Sequence, residues 1–229
     1  MPGNSLTNGI KVKMPRTCGV RTVVDSQGIA HEKTMTKWPL INVSKDNTSW
    51  IAMDNVFTDQ ELDKIVVQAN QVKKVSSTVG SRAVSDYRVC DIAWLESDDI
   101  ESDFDWLYAT LSDTICRVNN EYFRFDLTHL TALQYTVYNA SNHGNYQKHL
   151  DIGRQFPNRK LSFSVQLSDN ADYTGGDLRF HYIKNQPETA PREKGKVIFF
   201  PSWIVHDVTP VTRGTRRSLV GWVNGPNFK

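Results

Sequence analysis

Two histidines and one aspartate are the residues whose types and spacing best suit chemistry. His149 and Asp151 lie two positions apart in a strand-like segment, and His206 follows an apolar run. Because alternate side chains of a strand project from one face, His149 and Asp151 would converge while Leu150 turns away. Two histidines and a carboxylate on adjacent strands form a facial triad suited to non-haem Fe(II). Catalytic zinc also takes three protein ligands, so the triad alone leaves the metal open.

Each of these residues also has a purely structural explanation. A single His-x-Asp is a weak signal, because it also fits a surface histidine beside a solvated aspartate. His206 in an apolar strand also fits a hydrogen-bonded histidine of the core. The combination of the three residues is what favours a metal site.

Arg216 favours iron with an anionic co-substrate. It follows His206 by ten residues, across a turn that predicts a hairpin returning the arginine to the histidine. Period-two alternation then directs Arg216, Ser218 and Trp222 into a barrel. A buried guanidinium requires an anion, and without an internal carboxylate a bidentate ligand carboxylate is the expected partner. The alternative is an exposed Arg216 with Arg217 turned inward.

Hydrophobic patterning predicts the elements that position these residues. Thr58 and Glu61 form a capping box before a first helix, and a second helix is predicted over 104–119. From residue 130, runs rich in Val, Phe, Tyr and Trp alternate with turn signals, which predicts a sandwich or barrel. The predicted organisation is a loose or edge-strand extension over 1–45 and one domain over 46–229, with helical support at about 58–120 and a β core at about 130–225.

Composition excludes several classes of protein. The chain has 229 residues, of which 39% are hydrophobic and 23% charged, as in ordinary globular proteins. No apolar run suits a membrane span and the N-terminus lacks a secretory signal, so we expect a cytoplasmic protein without membrane association. The balance of 27 Lys and Arg against 25 Asp and Glu disfavours nucleic-acid binding. Three scattered cysteines indicate neither a disulfide framework nor a zinc ribbon.

Four ordered motifs surround the candidate residues. Residues 206–218 (HDVTPVTRGTRRS) have the pattern His-x-Val-x-Pro-Val-x-x-Gly-x-Arg-x-Ser, and residues 146–151 read Tyr-x-x-His-x-Asp. Residues 173–180 contain Gly-Gly-x-Leu-x-Phe, and Arg159 precedes a predicted strand over 161–167. This ordered set resembles the 2-oxoglutarate/Fe(II)-dependent dioxygenases, and it is closest to their prolyl 4-hydroxylase-like branch. The likeness spans roughly residues 50–226.

The resemblance implies a mainly β fold with supporting helices, a double-stranded β-helix of the jelly-roll or cupin-like kind. It implies that His149, Asp151 and His206 bind Fe(II). Arg216 would bind the distal carboxylate of 2-oxoglutarate, and Tyr138 would add a hydroxyl to that carboxylate.

The resemblance also assigns the residues around the co-substrate. Leu178, Ser218 and Trp222 would line the co-substrate pocket, and Arg159 would contact a peptide substrate. Gln166 stands where relatives often carry Tyr, which puts the fine geometry of the pocket in question.

The implied reaction is hydroxylation of a C–H bond, with prolyl residues of a peptide or protein as the expected target. It would consume O2 and 2-oxoglutarate and release succinate and CO2, with ascorbate as a candidate supporting reductant. Asp151, rather than a small residue, favours hydroxylation over halogenation. Residues 75–91, with Arg82 and Arg88, fall where relatives carry a flexible substrate lid.

Two alternatives stay open at this point. One keeps the chemistry but changes the substrate to a free amino acid or another small molecule. The other is a catalytically silent jelly-roll binding module, which the retention of all three ligands and the arginine disfavours. The oligomeric state, the physiological substrate and the role of residues 1–45 are not predicted.

Overall fold

The computed structural model describes residues 20–24, 30–34, 49–76, 87–97, 103–182 and 186–227. It divides the chain into two units, Met1–Asn47 and Thr48–Lys229. In the first unit, strands β1 (Val20–Val24) and β2 (Ala30–Thr34) pair antiparallel. The rest of the predicted extension over 1–45 lies outside the described residues. All the candidate site residues belong to the second unit.

Two α-helices form the support predicted from the apolar spacing: α1 (Asp59–Gln71) and α2 (Asp105–Val118). The predicted capping box opens α1, because the Glu61 N–H donates to Thr58 Oγ1 (3.3 Å) and the Thr58 N–H donates to Glu61 Oε2 (2.7 Å). No helix in the described part of the chain has the length and apolarity needed to cross a membrane. The helices bury the apolar side chains of Leu62, Ile65, Leu107 and Leu111.

Within the described residues, fourteen further strands are distributed over two antiparallel sheets. A π-turn (Asn119–Phe123) and 3-10 turns (Ala140–Asn142, Asn170–Asp172) lie between some of them. The strands are β3 (Ile51–Met53), β4 (Val75–Ser76), β5 (Arg88–Val89), β6 (Asp91–Leu95), β7 (His129–Leu130), β8 (Leu133–Asn139), β9 (Asn145–His149), β10 (Arg159–Gln166), β11 (Tyr173–Gly175), β12 (Leu178–His181), β13 (Glu188–Thr189), β14 (Val197–Pro201), β15 (Val205–Val208) and β16 (Val211–Asn224).

The two sheets face each other and form the predicted double-stranded β-helix. The major sheet has the order β3-β14-β10-β16-β8-β6-β4, with β7 and β11 also paired to β16. The minor sheet has the order β13-β12-β15-β9-β5. One face of the major sheet packs on the helices, and its other face forms a second core with the minor sheet. This second core is the barrel interior.

Strand β16 shows how the alternation of side chains separates the two cores. Leu219 and Val223 pack in the core on the helix side. Arg216, Ser218 and Trp222 are buried on the opposite face, toward the barrel interior. The predicted inward direction of Arg216 is therefore confirmed, and the alternative with Arg217 inward is not.

The predicted hairpin between His206 and Arg216 is wrong. β15, which carries His206, pairs with β12 and β9 in the minor sheet. β16, which carries Arg216, pairs with β10 and β8 in the major sheet. The chain crosses between the sheets at Thr209 and Pro210, so Arg216 reaches the barrel interior from the opposite wall.

The hairpin prediction failed partly because of Gly214, which lies in the segment between His206 and Arg216. This glycine suggested the end of a turn, yet it lies inside β16, which runs from Val211 to Asn224. Its φ of +71° bends the strand without ending it. The positive φ of a glycine is equally compatible with a turn and with a bend in a long strand.

The predicted substrate lid over 75–91 is also partly wrong. Arg88 lies on β5 and pairs opposite Tyr146 of β9, so it is part of the minor sheet. Residues 77–86, which include Arg82, lie outside the described residues.

Replacing Gly214 by alanine should destabilise the fold. An added Cβ would lie 1.9 Å from the carbonyl oxygen of Asp172, and the positive φ is itself unfavourable for alanine. We expect Gly214→Ala to lower the free energy of unfolding, measured by urea denaturation, by about 2 kcal/mol or more. Gly153→Ala is the control, because no atom lies within 4 Å of its added Cβ. Equal stability of the two variants would contradict the bend at Gly214.

Candidate functional site

His149, Asp151 and His206 converge in the barrel interior. Neighbouring strands β9 and β15 place His149 directly opposite His206. Asp151 follows the end of β9, and its backbone N–H donates to Ser202 O at 3.0 Å. The distance from His149 Nε2 to Asp151 Oδ1 is 3.7 Å, and from His206 Nε2 to Asp151 Oδ2 is 3.6 Å. Each residue offers one ligand atom, and the three atoms lie within 4.8 Å of one another.

Hydrogen bonds to the backbone set the tautomer of both imidazoles. His149 Nδ1 lies 2.8 Å from Gln147 O, and His206 Nδ1 lies 2.9 Å from Ile204 O. Because a carbonyl oxygen only accepts, both Nδ1 atoms carry the proton and both Nε2 lone pairs face Asp151. Three acceptor atoms therefore converge on one point. This donor set fits a divalent cation, and two imidazoles with one carboxylate suit Fe(II).

The electrostatics keep His149 and Asp151 in their metal-binding protonation states. Burial, with repulsion from His206 as the next cause, lowers the pKa of His149 to about 3. Burial alone would raise the pKa of Asp151, but His206 and His149 outweigh it and hold that pKa below its ordinary value. A neutral imidazole and an ionised carboxylate are the forms that ligate metals.

Asp207, the neighbour of His206, faces the other side of β15 and belongs to a separate charge cluster. Arg179 Nε and Nη2 donate to its two carboxylate oxygens at 2.9 and 2.7 Å, and His181 Nε2 lies 3.1 Å from Oδ2. Burial would raise the pKa of Asp207, but Arg179 outweighs it and lowers that pKa. The cluster ties β12 to β15 behind His206, and it engages His181 away from the triad.

A β-bulge in β9 brings Tyr146 beside the triad. His206 pairs with His149 and Val208 with Tyr146, so β9 has one more residue than β15 between these pairs. Tyr146 and His149 consequently share a face, and their rings stack at 3.5 Å and 18°. The Arg88 guanidinium also lies over the Tyr146 ring, 4.6 Å from its centroid. Sequence reasoning gave Tyr146 no role, because a regular strand would place it on the face opposite His149.

Arg216 is a buried cation without a carboxylate partner. Only 2% of the residue is exposed. Its Nη1 donates to Ser218 Oγ at 3.3 Å and its Nη2 donates to Gln166 Oε1 at 3.0 Å. Among the described residues no carboxylate forms an ion pair with it, and Nε has no hydrogen-bond partner. This is the arrangement for which the sequence predicts an external anion.

Tyr138 and Leu178 are both buried in the core between the two sheets, and Tyr138 also lies near the Arg216 guanidinium. Tyr138 lies opposite Arg216 in the pairing of β8 with β16, and its ring centroid is 5.4 Å from the guanidinium carbon. Burial raises the pKa of Tyr138, so its hydroxyl keeps its proton. Leu178 pairs with Val208 in the core between the sheets.

Trp222 and Arg159 form the other end of the site. The Trp222 indole Nε1 is buried and has no partner within the described part of the chain. The Arg159 guanidinium is sandwiched between Phe156 (3.8 Å) and Trp222 (3.9 Å), and Nη1 donates to Asp151 O at 3.3 Å. Burial lowers the pKa of Arg159 to about 10, so it is still a cation at neutral pH.

An open cavity of about 380 Å³ lies next to Arg159. Its aromatic wall includes Trp94 and Phe156, which are 40% and 50% exposed. The ring centroids of Trp94 and Trp222 are 6.2 Å apart. The open cavity therefore reaches the stacked Arg159, and the Arg159 guanidinium in turn donates to the backbone of a triad residue.

The fold is that of the double-stranded β-helix proteins, and in its interior two histidines and one carboxylate converge so that they could hold a metal ion. The sequence model of the 2OG-Fe(II) oxygenase superfamily matches residues 133–224. This segment contains the triad and Arg216, and the match confirms the resemblance predicted from the four motifs.

Individual proteins show the same likeness. A PKHD-type hydroxylase of Prochlorococcus marinus is 37% identical over 89 residues, covering 38% of this chain and 40% of the relative. The chain thus spans less than half the length of this curated relative. A Pseudomonas putida prolyl-4-hydroxylase structure matches with a TM-score of 0.64 at 18% identity, covering 78% of this chain and 94% of that one. A prolyl hydroxylase in complex with a hypoxia inducible factor peptide, from Trichoplax adhaerens, matches with a TM-score of 0.65 at 18% identity, covering 78% and 84%.

Asp151→Asn should greatly weaken metal binding, because it removes the only negative charge of the triad. Loss of groups that merely support a ligand costs about 10- to 100-fold in metal affinity, so we expect a loss of more than about 100-fold here. Titration calorimetry with Mn(II) or anaerobic Fe(II) measures it. The control is Asp113→Asn, which alters an exposed carboxylate of α2. Equal affinities of the two variants would remove Asp151 from the site.

Proposed function

We propose that this chain is a 2-oxoglutarate- and Fe(II)-dependent dioxygenase that hydroxylates a prolyl residue of a peptide or protein. The observation that carries the proposal is one barrel interior holding both a convergent set of metal-type acceptors and the unpaired guanidinium of Arg216. The first requires a cation and the second requires an anion. A ferrous ion and a keto-diacid together meet both requirements.

The chain's own residues have distinct tasks in this proposal. His149, Asp151 and His206 would hold Fe(II), which with 2-oxoglutarate and O2 supplies the oxidation of a C–H bond and releases succinate and CO2. Arg216 would bind the distal carboxylate of 2-oxoglutarate, and the protonated Tyr138 would donate a hydrogen bond to it. Leu178, Ser218 and Trp222 would enclose the co-substrate. Their burial excludes water from the reacting groups.

A peptide substrate is supported by the surface beside Arg159. The cavity next to it combines exposed aromatic rings with a guanidinium that reaches toward the triad. Exposed rings flanking a groove suit extended, proline-containing segments. The Trichoplax adhaerens protein was solved with a peptide bound, and it shares this fold.

A small-molecule substrate is the second candidate. The cavity volume of about 380 Å³ falls in the range of small-molecule sites. A role for ascorbate, a cytoplasmic location and the absence of nucleic-acid partners stay predictions from the sequence.

Arg216→Ala should raise the 2-oxoglutarate concentration needed for turnover. A desolvated charge pair contributes about 2–5 kcal/mol, which corresponds to about 30-fold or more in KM. The measurement is succinate formation without a primary substrate as a function of 2-oxoglutarate concentration. Arg217→Ala is the matched control, since this neighbouring arginine lies on the other face of β16. An unchanged KM in Arg216→Ala would contradict the assigned role.

Arg159→Ala should weaken substrate binding more than it affects the uncoupled reaction. Mass spectrometry of a proline-containing peptide library after turnover should show a product heavier by one oxygen with the wild type. The variant should need about tenfold or more peptide for the same yield, because a partly buried cation at the cavity is lost. Arg154→Ala, an exposed arginine nearby, is the control. Oxidation of small molecules alone, with no peptide product, would favour the second candidate.

A further inference from the structure

Gln166 is held in one orientation from both ends of its amide. It lies on β10 opposite Ser218 of β16, and only 2% of the residue is exposed. Its Oε1 accepts from Arg216 Nη2 at 3.0 Å, and its Nε2 donates to Pro191 O at 3.4 Å. A flipped amide would place its NH2 against the guanidinium and its oxygen against a carbonyl, so this orientation is the favourable one.

The groups around Arg216 orient its guanidinium without neutralising it. Its described hydrogen-bond partners are the Ser218 hydroxyl and the Gln166 amide, both of which are uncharged. The stem is closely packed as well, because a Cβ added to Gly176 would lie 2.9 Å from Arg216 Cδ. The guanidinium therefore has a fixed position and retains its full positive charge.

Two buried polar atoms also lack hydrogen-bond partners, one in the Arg216 guanidinium itself and one in a neighbouring tyrosine. Arg216 Nε and the Tyr173 hydroxyl have no hydrogen bond in the described part of the chain. Tyr173 packs near the guanidinium stem, since its Cε2 would lie 3.3 Å from the same Gly176 Cβ. Unsatisfied buried donors beside an uncompensated cation indicate a site built for an anionic ligand.

We propose that Gln166 is a positioning residue that orients Arg216 through a neutral acceptor and thereby makes the pocket select keto acids with a distal carboxylate. This inference rests on the proposed function. The Gln166 amide accepts from the arginine without carrying a charge, so selectivity comes from a fixed but unneutralised guanidinium.

Gln166→Glu tests the role of neutrality, because it places a carboxylate of the same size against Arg216. The carboxylate would occupy the guanidinium in place of the ligand. Calorimetry on Mn(II)-loaded protein compares 2-oxoglutarate with 2-oxobutyrate, which has no distal carboxylate. We expect the 2-oxoglutarate affinity to fall by about 30-fold or more while the 2-oxobutyrate affinity changes by less than about threefold. Equal 2-oxoglutarate affinity in variant and wild type would overturn the inference.

Thermal stability of the metal-free protein is the second readout. Gln166→Glu should match or exceed the wild-type Tm, because the new carboxylate pairs with Arg216. Gln134→Glu is the matched control, since Gln134 is also buried on a strand of the major sheet but bonds to the Thr136 hydroxyl. This control should lose stability through its buried charge. A comparable loss in Gln166→Glu would overturn the inference, because Arg216 would then not compensate the charge.

Gln166→Leu separates positioning from packing. It removes the acceptor while keeping an apolar side chain of similar length, so 2-oxoglutarate affinity should fall about three- to tenfold, with a residual preference over 2-oxobutyrate. Wild-type affinity in Gln166→Leu would show that the amide does not position Arg216. Failure of the wild type to bind 2-oxoglutarate would instead refute the proposed function. Normal binding by the wild type together with unchanged binding by the variants would refute only the role of Gln166.

Discussion

Compensation of buried charge is the constraint on which the barrel interior depends. On one wall, the triad presents two imidazole lone pairs and a carboxylate, a set of acceptors suited to a cation. On the other wall, Arg216 presents a positive charge that no described carboxylate meets. Removing charges from water is costly unless partners are supplied. The two sheets therefore enclose a group of acceptors without a cation and a cation without an anion. The fold makes these two groups face the same interior.

The register of the strands positions the triad residues. His149 and His206 meet because β9 and β15 are direct neighbours, and Arg179 with Asp207 ties β15 to β12 on the outer face. A slip of one residue in β15 would exchange His206 and Asp207 between the two faces. The outer charge pair and the inner triad thus require the same register, since each depends on which of two adjacent side chains points inward.

Local patterning predicted the residues better than it predicted the path of the chain. Alternation placed Asp151 with His149, and Arg216 with Ser218 and Trp222, because side-chain period is a local property. The crossing from one sheet to the other after His206 depends on long-range pairing, which Gly214 and Pro210 do not specify. Tyr146 was missed because the bulge that rotates it depends on the partner strand. Gln166 was recognised only as a departure from relatives, because its bond to Arg216 joins two strands distant in sequence.

The hydrogen bonds from His149 to Gln147 O and from His206 to Ile204 O have a consequence for how the site is loaded. The carbonyl two residues earlier in the chain accepts a hydrogen bond from each imidazole, so the orientation of neither ring depends on an ion. The ligand set is thus preorganised, and binding of an ion would need no rearrangement of the backbone.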